Sequence, residues 1–368
     1  MILDHLSIVN YKNISQADLN FSPNINCIIG DNGMGKTNLL DAIYYLSFCK
    51  SFINVVDSQN INHESEFFML QGNYLDGIKQ EEIYCGMKRR VKKQFKRNKK
   101  EYDRLSDHIG FIPLVMVSPS DSELIIGGSD ERRRFMDLVI SQFDKTYLDS
   151  LIKYNNALQQ RNSLLKIEDR EVDDSLFEIW EEQMDKYGRE VYNGRRSFID
   201  GFLPVFREFY DFISQGKEPV SLRYISHFEK GSLQQLLKEV RDRDKILGYT
   251  TRGVHKDDLE MNLGEYPIKR IGSQGQNKTY LVTLKLAQFD FLKRMGKTTP
   301  ILLLDDIFDK LDSTRVEQIL NLVAGDRFGQ IFITDTNREY LDRLIRKLAH
   351  SYNLYNVDNG EFVLQESN

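Results

Sequence analysis

No stretch of the 368-residue chain approaches the ~18 consecutive apolar residues that a helical membrane span needs, so no membrane partner is expected. The opening residues, Met1-Ile2-Leu3-Asp4-His5, have neither the basic start nor the apolar run of a secretory leader. Cysteine is scarce. The three present, Cys27, Cys49 and Cys85, form no C-x-x-C pair and leave an odd count, which predicts reduced structural thiols in the cytoplasm. No segment sustains three or four clean heptads, which excludes a long coiled coil. Positive charge is in deficit. The net charge of −5 argues against wholesale coating of nucleic acid and leaves room for a local basic site.

What is present reads as a folded chain. Hydrophobic residues make up 40% and charged residues 29%, and the length corresponds to about two domains. The most specific stretch is Gly30-Asp31-Asn32-Gly33-Met34-Gly35-Lys36-Thr37, which fits G-x-x-x-x-G-K-[ST]. The β-branched run Ile25-Asn26-Cys27-Ile28-Ile29 precedes it, and 38–46 follow with helical apolar spacing. Strand, glycine loop and helix start are the context this motif requires. Its glycines let successive backbone N–H groups turn inward around phosphates, and the helix N-terminus adds partial positive charge. In such a loop Lys36 reaches the β- and γ-phosphates, and the Thr37 hydroxyl ligates Mg2+.

Residues 1–30 and 67–118 read mostly as strands, with Pro113 placing the last strand proper after it. Within them, nine of the thirteen residues from Lys88 to Lys100 are basic, and Arg97-Asn98-Lys99-Lys100 reads as a hairpin tip. Two readings stay open: a ribbon contacting DNA phosphates through Lys92, Lys93, Lys96 and Arg97, or a solvated edge that lysines protect from strand pairing. From about residue 120 the apolar period becomes helical. One long amphipathic helix is expected through Phe135 to Leu158, with a cap at Ser129-Asp130-Glu131. Three cations near its start, Arg132-Arg133-Arg134, oppose the helix dipole and predict acidic or phosphate partners, ordinary salt bridging being the favoured reading. A second helix is expected to break or bend at Pro204, and a third starts at a capping box of Ser232 and Gln235.

The segment Thr250 to Leu259 contains His255 beside two acids. One histidine without a second ligand at metal spacing points to a structural or positioning role. Ser273-Gln274-Gly275-Gln276 opens a helix with Tyr280, Leu281, Leu284, Ala287, Phe291 and Leu292 on one face, and is a second anion-binding helix start. Ile301-Leu302-Leu303-Leu304-Asp305-Asp306 is a buried strand ending in two carboxylates. Asp305 is placed to hold Mg2+ and Asp306 to orient or deprotonate an attacking water. The strand at 330–336 ends in Thr334, where a γ-phosphate sensor belongs, at the carboxyl edge of a sheet.

Phosphate loop, long insertion, Ser-x-Gly-Gln helix start, Asp-Asp strand, Leu311-Asp312 and a strand ending in Thr occur in the order of ABC-type ATPase heads of the SMC group. The chain most closely resembles the RecF family within that group. The resemblance extends over Asn10-Tyr11-Lys12-Asn13, Ser118-Pro119, Arg132 to Asp137 and Gly253 to Leu259. Only about 270 residues separate Lys36 from Asp305, too few for long paired arms. The chain departs from the family in having Gly253-Val254-His255-Lys256 for the usual Gly-Pro-His-Arg, and in Phe308-Asp309-Lys310 before Leu311.

The resemblance implies an α/β fold: a P-loop NTPase head with a mixed sheet and helices, an inserted mainly helical lobe and no long coiled coil. It implies lobe I from 1–118 with 296–368 and lobe II from 119–295. Lys12 and Asn13 then join the residues from Gly30 to Thr37, and Thr334, around ATP and Mg2+, while Ser273, Gly275 and Gln276 contact the nucleotide held by a second copy. ATP would join a homodimer, and its slow, DNA-dependent hydrolysis would release it. Gapped or single-strand/double-strand junction DNA, RecR, RecO through RecR, and RecA downstream are the implied partners. A different SMC-like head, serving a nuclease or structural complex, is the alternative and predicts longer helical arms. A scaffold that binds nucleotide without hydrolysing it conflicts with the intact Lys36, Thr37, Asp305 and Asp306. A small-molecule kinase leaves the Ser273 to Gln276 turn unexplained.

Overall fold

The computed structural model describes residues 1–167, 173–309, 311–325, 327–345 and 351–368; Lys310 lies outside them. In chain order the first elements are β1 (Ile2–Tyr11), β2 (Ile14–Asn20), β3 (Ile25–Ile29), α1 (Lys36–Phe48), β4 (Phe67–Asp76), β5 (Lys79–Lys88), β6 (Gln94–Arg97), β7 (Lys100–Glu101) and β8 (Leu114–Val117). The helical insertion follows, with α2 (Glu123–Ile126), α3 (Ser129–Ser141), α4 (Lys145–Leu165), α5 (Asp174–Ser214), β9 (Val220–Ile225), α6 (Leu233–Leu247), β10 (Asp258–Leu263), β11 (Tyr266–Pro267) and α7 (Ile268–Ile271). The chain closes with α8 (Gln274–Met295), β12 (Ile301–Asp305), α9 (Ser313–Ala324), β13 (Ile331–Asp335), α10 (Arg338–Ile345), β14 (Tyr352–Asp358) and β15 (Glu361–Ser367).

Two compact units result. Unit 1 is Met1–Asp121, Phe212–Gln215 and Gln274–Asn368; unit 2 is Ser122–Asp211 and Gly216–Ser273. The second boundary therefore falls before α8, whereas the sequence reading placed it after that helix. The reason is burial. Every residue from Thr279 to Leu292 is buried, so α8 is a central helix of unit 1 and not a one-faced helix of the insertion. Its polar residues find internal partners. Lys285 pairs with Asp121 at 2.6 Å, and Asp290 pairs with Arg327 at 3.2 Å.

Unit 1 contains two sheets. One has the order β2-β1-β4-β5-β6-β7 and is antiparallel throughout. The other has the order β15-β14-β3-β13-β12-β8, parallel except at β15. The continuous apolar runs in β8, β12 and β13 are fully buried, as expected for parallel strands covered on both faces. Helix α1 touches strands of both sheets, and all its residues except Thr37 and Asn38 are buried. Buried Gln330 donates to Leu3 O and Ser22 O and accepts from Leu3 N, joining the two sheets. Parallel register aligns the carboxyl ends of β3, β12 and β13, and this edge carries the polar residues singled out in the sequence.

In unit 2 the expected single helix through Phe135 to Leu158 is two. α3 stops at Ser141, and Asp144 caps α4 by accepting from Tyr147 N at 2.9 Å. Pro204 does not end α5, which runs 41 residues through it. Phe198, Phe202, Phe206 and Phe209 are buried on both sides of the proline, so packing holds the helix across the missing N–H. The predicted Ser232 cap makes no side-chain bond to the helix backbone; its hydroxyl donates to Asp185 at 3.4 Å. Instead, Asp185 of α5 accepts from Leu233 N at 2.7 Å and Gln234 N at 3.3 Å. The core of unit 2 is charged as well as apolar. Arg161 meets Asp244 at 2.7 Å and Glu181 at 3.0 Å, and Arg241 meets Glu181 at 2.6 Å. Arg195 meets Asp137 and Asp257, both at 2.9 Å.

Candidate nucleotide site

The loop between β3 and α1 adopts the backbone its glycines allow. Gly33 and Gly35 have φ of 84° and 116°, where a side chain would be strained. Gly30 is required for close approach instead: a Cβ there would lie 2.4 Å from Val357 O. The Lys36 ammonium donates to Gly30 O at 2.7 Å and Asp31 O at 3.0 Å, so its charge stays within the loop. Thr37 Oγ1 donates to the Asp305 carboxylate at 3.0 Å, and Thr334 Oγ1 donates to it at 2.7 Å. Burial holds the Asp305 pKa above its ordinary value, against the lowering effect of those two hydroxyls. Among the described residues no cation pairs with Asp305. Asp306 has φ of 46°, and its N–H donates to Thr334 O at 3.2 Å.

Lys12 and Asn13 take different places. Lys12 pairs with buried Asp41 of α1 at 2.5 Å, and Tyr11 and Ser51 also donate to Asp41. Its charge is thus committed to α1. Asn13 sits on the loop itself, donating to Gly33 O at 3.3 Å and accepting from Asn38 at 2.7 Å. Gly275 and Gln276 lie in the first turn of α8, while Ser273 is the last residue of unit 2. Three contributors escaped the sequence reading. Lys278 donates to Asp306 O at 3.1 Å. Arg315 donates to Thr279, which donates to Gly275 O at 2.7 Å. The turn between β14 and β15 closes on the loop through Gly360 N to Met34 O at 2.8 Å. Its Asn359-Gly360 dipeptide is a hairpin signal that could have been read.

The basic run folds as expected into a hairpin with Asn98 and Lys99 at positive φ, but its charges divide. Lys93 pairs with Asp57 at 2.7 Å and donates to Cys49 O at 2.6 Å. Arg97 forms a two-pronged pair with Glu81 and lies 3.6 Å from the Phe111 ring centre. This holds Glu81 down to about 2. Lys96 is half-buried beside the Tyr84 ring, and Lys92 is exposed. In the arginine triplet, Arg132 pairs with Asp258 at 2.7 Å, Arg133 donates to Asp257 O, and exposed Arg134 lies 3.8 Å from Glu131.

Comparison with known proteins agrees with this architecture. The family model described as RecF/RecN/SMC N terminal domain matches residues 2–361. The DNA replication and repair protein RecF of Bacteroides fragilis is 67% identical, over 98% of this chain and 97% of its own. That of Porphyromonas gingivalis is 54% identical over 98% and 99%. A structure of the recombination mediator protein RecF with ATP, from the RecFOR pathway, superposes with a TM-score of 0.89 at 28% identity, covering 99% and 98% of the two chains. The Smc head domain of Pyrococcus furiosus shares the fold, with a TM-score of 0.58 at 16% identity over 99% and 96%. The chain, an ATPase head of the SMC type, belongs to the RecF family.

Proposed function

We propose that this protein is an ATP-dependent clamp on DNA in recombinational repair and replication restart. The observation that carries the reading is the convergence of Thr37, Thr334 and the otherwise unpaired Asp305 beside Lys36, at the carboxyl edge of one parallel sheet. The residues from Gly30 to Thr37, with Asn13, cradle the phosphates of ATP, and Lys12 acts on the loop only through Asp41. A buried carboxylate beside a hydroxyl is a hard oxygen set that suits Mg2+, so Thr37 and Asp305 would hold the ion. Bound there, Mg2+ would neutralise charge between the β- and γ-phosphates. Asp306 orients and deprotonates the attacking water, and Thr334 senses the γ-phosphate.

Ser273, Gly275 and Gln276 complete the site of a second copy, so ATP closes a homodimer and slow, DNA-dependent hydrolysis opens it. The closed dimer holds gapped or junction DNA and, with RecR and indirectly RecO, promotes RecA loading. The names of the relatives and of the solved RecFOR-pathway protein support that assignment. Light scattering with and without ATP–Mg2+ and gapped DNA tests it. The wild type should double in mass with ATP, Ser273→Arg should remain monomeric while binding ATP, and Asp306→Asn should stay dimeric after nucleotide is diluted. A Ser273→Arg variant that still dimerises with ATP would reject the shared site.

A further inference from the structure

Two segments of unit 2 meet at His227. One is the turn His227–Lys230 after β9, and the other is Arg252-Gly253-Val254-His255-Lys256. The second is shaped from within. Gly253 has φ of 130°, and a Cβ there would lie 2.2 Å from the Tyr154 hydroxyl. His255 Nε2 donates to Thr250 O at 3.0 Å, so its Nδ1 accepts from Tyr154 at 2.7 Å. With both nitrogens engaged, His255 fixes the turn, and Arg252 and Lys256 flank it.

His227 is in the opposite situation. Arg252 Nη1 lies 3.0 Å from its Nε2, and Gly253 N–H points at its Nδ1 from 3.2 Å. Both neighbours are donors, and a neutral imidazole accepts at one nitrogen only. In either tautomer one N–H therefore faces another. Protonating the ring would add a further donor. Burial first, then the charge of Arg252, keeps the His227 pKa below its ordinary value, with Lys230 and Lys256 acting in the same direction. The large buried arginines of unit 2, Arg132, Arg161, Arg195 and Arg241, each meet a carboxylate. Among the described residues no carboxylate pairs with Arg252, Lys230 or Lys256, and the Lys256 ammonium lies 5.2 Å from the Tyr249 ring centre. His227 and Arg252 are half-buried but accessible, and Lys230 and Lys256 are exposed.

An anionic oxygen that accepts from His227 Nε2–H and Arg252 together removes the donor conflict and leaves Nδ1 to Gly253. Several cations around one imidazole favour a group with several charged oxygens. We propose that His227, Arg252 and Lys256 form a phosphate-binding site in unit 2. The phosphate belongs to a DNA backbone or to a nucleotide. Only the first source rests on the DNA-clamp reading.

The test is imidazole NMR of the full-length protein labelled at histidine, with His227→Gln identifying the resonance. Inorganic phosphate should raise the His227 pKa by about 1, as a nearby negative charge does. Arg252→Ala should abolish that response without lowering the melting temperature. A His227 pKa that phosphate leaves unmoved, or a response that survives Arg252→Ala, overturns the site. Short duplex DNA and ATP–Mg2+ are then compared as probes. A shift with duplex, with the salt slope of DNA binding reduced by about 0.9 in Lys256→Ala, identifies the backbone as the source. A shift with ATP–Mg2+ alone supports the site and identifies a nucleotide.

Discussion

Buried carboxylates in both units mostly meet cations, as Asp41 meets Lys12 and Glu81 meets Arg97 in unit 1, but Asp305 keeps different company. In unit 2, Asp244 and Glu181 meet Arg161 and Arg241, and Asp137 and Asp257 meet Arg195. In unit 1, Asp305 is also buried and, among the described residues, meets only the hydroxyls of Thr37 and Thr334. A buried pair is costly to break because the remaining charge is stranded. A buried carboxylate facing hydroxyls has no charge to strand, and its own desolvation counts against the fold. Unit 2 commits its buried arginines to structure, whereas unit 1 leaves Asp305 without a cation partner among the described residues, as the proposed Mg2+ site requires.

Two isosteric substitutions should separate paired from unpaired buried carboxylates. Asp244→Asn should lower unfolding stability by about 3–5 kcal/mol, since it leaves Arg161 partly uncompensated. Asp305→Asn should leave stability unchanged or raise it by about 1 kcal/mol, while removing Mg2+-dependent ATP turnover. Denaturant midpoints and turnover assays read both, and equal destabilisation by the two would remove the distinction. Next in size, Lys36→Ala should weaken ATP binding roughly a hundredfold, about 3 kcal/mol, measured by calorimetry. Its two bonds in the structure are to loop carbonyls, so the melting temperature should change little.

A smaller effect tests how unit 2 fixes protonation. Burial pushes His255 down to about 4, below the ~6.5 of an unfolded chain. Between those values the unfolded state binds the proton first. Stability is therefore full above pH 6.5 and falls as pH drops toward 4, by about 3 kcal/mol. His255→Gln should lose that slope, as chemical denaturation at a series of pH values would reveal. The smallest effect lies in the basic hairpin. Lys92→Ala should reduce the salt slope of DNA binding by about 0.9 with stability intact. Lys93→Ala should instead cost about 1 kcal/mol of stability by removing the Asp57 pair and its bond to Cys49 O, with the slope unchanged. Equal changes in slope would show that the hairpin acts as one charged surface.

Much of the candidate site was legible because its chemistry is contiguous. A loop that wraps a phosphate must bring successive backbone N–H groups together, so Gly30 to Thr37 declare it in eight residues. The strand ending in Asp305-Asp306 is likewise a local pattern. The helical insertion was legible as a period, but its breaks were not. Asp144 marked a helix start inside an unbroken apolar spacing, and packing carried α5 through Pro204.

The glycine loop, the acidic strand end and the order of the ATPase motifs are all readable along the chain, because backbone geometry and short spacings suffice for each. Which charges find a partner depends on packing between distant segments. Lys12 is committed to Asp41, Lys93 to Asp57 and Arg97 to Glu81, and Asp185 caps a helix 48 residues away. The turn at Gly360 closes on Met34 from the far end of the chain. Such pairings depend on which elements pack together, and the spacing of residues along one segment carries no record of its neighbour across the core.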